Sequence, residues 1–96
     1  MADDLTSIEV RLAEQYAWVL DLVSRCALAV DQGNWHYLWD KAHQLNNAAG
    51  RLATVASEAA QASGRERPRK GAVAAAVAHH GRHYRAGRLL HPEAAP

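Results

Sequence analysis

Asp31-Gln32-Gly33-Asn34-Trp35 interrupts a stretch of helix-forming sequence that otherwise runs through residues 6–63. Gly33 suits the left-handed backbone position that ends a helix, and Asn34 carries the short polar side chain that caps the next one. So short a connection turns the chain back on itself, which predicts two antiparallel helices.

Upstream of the turn, Thr6-Ser7-Ile8-Glu9 has the form of a capping box, with Leu5 and Val10 at the staple positions around it. Ile8, Leu12, Val19, Leu22 and Cys26 recur at helical spacing, and Tyr16, Leu20, Val23 and Val30 widen the stripe. No Gly or Pro intervenes, so the first helix is predicted over about residues 6–31. Downstream, Trp35, Leu38, Ala42, Leu45, Ala49, Leu52, Ala56 and Ala59 follow alternating steps of three and four, a 3.5-residue repeat. This leucine-and-alanine edge is expected to lie against the first helix. Gly50 sits inside the second helix at a cost of roughly 1 kcal/mol relative to alanine, for which a close crossing or a slight bend would account. That helix is expected to end near Ser63-Gly64.

The chain divides into a helical hairpin (1–63), a basic linker broken by Pro68 and two glycines (64–71), a C-terminal helix with a thin apolar pattern of Val73, Val77 and Tyr84 (72–90), and a disordered tail (91–96). The expected fold class is all-α: an antiparallel two-helix hairpin plus a shorter C-terminal helix, which as a dimer makes a four-helix bundle. With 96 residues the chain is one domain at most, and a two-helix piece of it needs a third element or a partner to complete a core. No Phe is present and β-branched residues are few, which argues against sheet.

The single cysteine, Cys26, excludes an internal disulfide and reads as a small core residue. The acidic start Met-Ala-Asp-Asp has neither the basic nor the apolar region of a signal peptide, and no apolar run is long enough to span a bilayer. A cytoplasmic location and no membrane partner are therefore expected. Charge is unevenly placed. Residues 1–63 carry four basic and eight acidic side chains, whereas residues 64–96 carry seven basic and two acidic ones. An acidic body thus precedes a basic C-terminal third.

Several groups invite a functional reading. Trp35 and Trp39 share a face near the hairpin tip while Tyr37 points elsewhere; the pair either closes the hairpin end over Val30 or forms a binding patch, and Trp18, one helix over, either joins the pair or lies exposed at an oligomer contact. His36, Asp40, His43 and Asn47 line one face of the second helix, and His79, His80 and His83 cluster near the end; both sets read first as solvated surface, and no metal or other cofactor is expected. Arg65, Arg67, Arg69, Lys70, Arg82, Arg85 and Arg88 form a basic set able to neutralise phosphates, or to pair with the acidic first helix. No phosphate-binding loop, nucleophile elbow or paired metal-ligand motif is present, so an enzyme is not expected.

Residues 28–38, Leu-Ala-Val-Asp-Gln-Gly-Asn-Trp-His-Tyr-Leu, resemble the first helix-turn of SnoaL-like proteins, but the strongly curved sheet that follows there has no counterpart in this helical, alanine-rich sequence. The layout is similar to that of the secreted Trp-x-Gly helical hairpins, with Gly33-Asn34-Trp35 in the reverse order and Arg88 where their C-terminal signal places an acid after tyrosine. The sequence thus points to a small helical interaction or adaptor protein that self-associates or docks on another protein, with Trp18, Trp35 and Trp39 at the interface. The alternative is a nucleic-acid-binding or regulatory protein that uses Arg67, Arg69, Lys70, Arg82, Arg85 and Arg88.

Overall fold

The computed structural model describes residues 5–80. The fold is all-α: helix α1 (Ser7–Gln32), helix α2 (Trp35–Gln61), a single 3-10 turn at Gly64–Glu66 and helix α3 (Ala72–His80). No strand occurs among the described residues. The expected C-terminal helix is described only as far as His80; its remainder and the tail at 91–96 lie outside the described residues.

Both ends of α1 are fixed by the residues that announce them. The Thr6 hydroxyl accepts from the Glu9 N–H at 3.3 Å, and the Glu9 carboxylate accepts from the Thr6 N–H at 2.9 Å, closing the capping box. At the other end Gly33 takes φ 67°. Its N–H donates to the Val30 carbonyl at 3.1 Å and the Asn34 N–H donates to the Ala29 carbonyl at 2.9 Å, the paired bonds of a Schellman motif. The Asn34 side chain then accepts from the Tyr37 N–H at 3.2 Å and starts α2.

The hairpin closes on Leu22 and Ala29 of α1 against Ala48 and Val55 of α2, all buried. The inner line of α2 is therefore Leu38, Lys41, Leu45, Ala48, Leu52, Val55 and Ala59, each buried or half-buried. This corrects the register expected from sequence. The leucines serve as foreseen, but the alanine positions between them, Ala42, Ala49 and Ala56, are exposed. Gly50 is exposed too, and a Cβ built on it would meet nothing within 4 Å, so no close crossing explains it.

After α2 the chain passes beneath the start of α1, and α3 packs on the opposite flank of α1 from α2. Ala13, Ala17 and Val77 form the cluster there, joined by Leu5 and Val73. Because Arg69 meets Glu9 and Val77 meets Ala13 and Ala17, α3 runs alongside α1 in the same direction. Leu5, expected as a helix staple, contributes to this α3 contact.

Candidate interaction surface

The two long helices differ sharply on their two sides. One side is held by polar bridges. Arg11 Nη2 donates to Glu58 Oε1 at 2.7 Å, and Arg25 Nη1 donates to the Tyr37 hydroxyl at 3.3 Å while its Nε donates to Asp21 Oδ2 at 2.8 Å. Asp21, and then Tyr37, raise the pKa of Arg25 above its ordinary value by bonding its charged form. Lys41 Nζ stands 5.3 Å from the centre of the Tyr37 ring.

Helical periodicity carries the other residues to the opposite side. Leu12, Val19 and Cys26 of α1, spaced by sevens, come alongside Leu38, Leu45 and Leu52 of α2, also spaced by sevens. All six are half-buried. Outside them stand Tyr16, Val23 and Val30 on α1 and Trp35, Ala42, Ala49 and Ala56 on α2, all exposed. This side is apolar along the length of the hairpin.

A second observation gives that side its meaning. Among the described residues, Leu22 is the largest apolar side chain to be fully buried; the other fully buried large side chain is Glu9. The leucines that ordinarily fill a helical core are on the rim of this one. A fully buried leucine gains roughly 1.5–3 kcal/mol over an exposed one, and here much of that gain is left unrealised.

Trp35 and Trp39 are exposed to 63% and 69%, and Val30 to 54%, so the pair does not close the hairpin end. With His36 the tryptophans border a shallow, mostly apolar depression at the tip. Trp39 also stacks on His43, ring centroids 5.8 Å apart and planes 8° from parallel. Trp18 is half-buried and stands elsewhere, on the line of Arg11 and Arg25 that faces the polar side.

His36, Asp40, His43 and Asn47 are exposed, and Asp40 accepts from Gln44 at 3.0 Å. No group of three or more His, Cys, Asp or Glu side chains suited to a metal ion occurs among the described residues. Of the basic set, Arg69 binds Glu9, and Arg67 Nη1 donates to the Ala62 carbonyl at 3.5 Å. Lys70 is exposed, whereas Arg82, Arg85 and Arg88 lie outside the described residues. The side chains of His79 and His80 and the whole of His83 lie outside them as well.

The pairing of the basic set with the acidic first helix is realised at Glu9, which sequence reading named only as part of the capping box. Glu9 is fully buried and accepts four hydrogen bonds, one from the Thr6 N–H and three from Arg69. Bonding from the Arg69 side chain, outweighing the cost of burial, lowers its pKa from 4.5 to about 2. No helix among the described residues is long and apolar enough to cross a membrane.

Comparison with protein families, curated proteins and solved structures returns no match. The likenesses drawn from residues 28–38 and from the hairpin layout are thus not joined by any family match.

Proposed function

We propose that this chain is a self-associating helical interaction protein, two copies of which place their leucine-lined sides together as a four-helix bundle. The observation that carries the reading is the half-burial of Leu38, Leu45 and Leu52 opposite Leu12, Val19 and Cys26, where Leu22 is the one large apolar side chain fully buried among the described residues. In a four-helix bundle such positions point to the common axis and are completed by the second pair of helices.

The size is suitable. A hairpin of this length is about 40 Å long and about 20 Å across two helix diameters. That gives roughly 800 Å² per copy, the area of a standard specific interface. The two sides also differ in a way that favours one orientation: Arg11–Glu58 and Arg25–Asp21 keep their charges on the far side, so docking the apolar sides strands no buried charge. The small side chains of Ala42, Ala49 and Ala56 let a second hairpin approach closely. Trp35 and Trp39 extend the apolar side at the tip, where aromatic anchors carry much of the energy of an interface.

Light scattering at tens of micromolar tests the reading. A mass near twice 10.5 kDa supports it, and a folded species of 10.5 kDa over that whole range contradicts it.

A further inference from the structure

The exposed rows of the apolar side are unlike in size. On α1 the row is Tyr16, Val23 and Val30; on α2 it is Ala42, Ala49 and Ala56, closed at the tip by Trp35. Large side chains thus stand out from one helix while a shallow trough runs along the other. Both rows step by seven residues, so their pitch is the same.

Level matters as much as size. Gln32 ends α1 and Trp35 begins α2, so residues equally far from the turn stand level across the hairpin. Tyr16 is level with Arg51, Val23 with Gln44 and Val30 with Tyr37. Along the axis, each large side chain of α1 therefore falls within a gap of the α2 row: Tyr16 between Ala49 and Ala56, Val23 between Ala42 and Ala49, Val30 between Trp35 and Ala42.

We propose, resting on the self-association above, that the two copies are related by a two-fold axis parallel to their helices, with both tips at one end and α1 of each copy seated on α2 of the other. A two-fold in that direction permits no slippage along the bundle, because every residue meets the partner at its own level. Tyr16, Val23 and Val30 then enter the gaps of the partner's alanine row as knobs enter holes. The other two-fold, across the helices, sets the tips at opposite ends and lays α1 on α1 and α2 on α2. Large rows would then oppose each other and alanine would oppose alanine, overfilling one seam and leaving the other loose.

Two measurements on the full chain test the arrangement. A nitroxide on Gln32→Cys, in a Cys26→Ala background, reports the distance between tips by pulsed electron resonance, with sedimentation reporting mass. Tips at one end give a separation set by the width of the bundle, about 20–30 Å; tips at opposite ends give one set by the length of the hairpin, about 40 Å or more. Ala49→Leu fills the hole that receives Tyr16, so the dimer Kd is expected to rise about ten-fold or more, and Tyr16→Ala added to it should recover part of the loss. A dimer whose tips lie about 40 Å or more apart overturns this arrangement and leaves self-association standing. So does an Ala49→Leu protein that dimerises as well as the wild type or better. A folded monomer with no coupling between labels overturns both.

Discussion

Arg69 grips Glu9 across sixty residues of sequence with three hydrogen bonds: its backbone N–H donates to Oε2 at 2.8 Å, its Nε to the same oxygen at 3.0 Å, and its Nη2 to Oε1 at 2.8 Å. One carboxylate thereby caps the first helix and anchors the start of the third. The arrangement is a bidentate fork on a fully buried acid, which is among the stronger polar contacts available to a protein.

Acid should release it. The pKa of Glu9 is about 2 in the folded chain against 4.5 for a free side chain. A carboxylate whose folded pKa is depressed contributes in full above the unfolded value, and the contribution falls away as pH drops through the folded one. The difference corresponds to roughly 2–3 kcal/mol, allowing for the half of Arg69 that faces water. Stability measured by urea unfolding is expected to hold steady from pH 7 to about 5 and then to decline toward pH 2, with a smaller decline in Glu9→Gln.

Arg69→Gln removes the guanidinium and leaves the buried Glu9 carboxylate with two backbone donors, the N–H groups of Thr6 and of residue 69, and no cationic partner. Removing one partner of a buried ion pair costs about 3–5 kcal/mol, so the variant is expected to be strongly destabilised. The Glu9 carboxyl should titrate above about 2 in carbon-detected NMR. An unchanged titration would mean that Arg69 is not what holds it down.

Gly50→Ala adds a methyl group in open space on the exposed face of α2, where the backbone is helical. Alanine is favoured over glycine there by about 1 kcal/mol. An increase in Tm of about 4–8 °C is expected for a domain of this size.

Gly33→Ala acts in the opposite direction. At φ 67° a Cβ is strained whatever the space around it. The expected cost is about 1–2 kcal/mol, with Gly33→Asn milder because asparagine tolerates the left-handed region. Thermal unfolding of the two variants side by side checks the order.

Local chemistry made most of the fold legible. Gly33, Asn34 and the Thr6–Glu9 pair act within a few residues of themselves, so their roles can be read without knowing the tertiary structure. The facing register of α2 was harder. Leu38, Leu45 and Leu52 belong equally to a stripe completed by Lys41, Ala48 and Val55 and to one completed by Ala42, Ala49 and Ala56. Alanine at both 48 and 49 does not discriminate between the two, and the lysine at 41 disguises the stripe that is turned inward. The Glu9–Arg69 contact left no mark in the sequence beyond an acidic helix start and a basic linker, because the two residues meet only through the path of the chain between them. The exposure of Trp35 and Trp39 was equally invisible, since an aromatic pair at a hairpin tip has the same spacing whether it faces a core or solvent.

Sedimentation equilibrium of Leu45→Glu beside Arg51→Glu addresses the leucine side most directly. Leu45 stands half-buried on that side and Arg51 is exposed on the other. The expected outcome is a folded monomer for Leu45→Glu and a dimer, like the wild type, for Arg51→Glu. A Leu45→Glu protein that still sediments as a dimer would contradict self-association through this side.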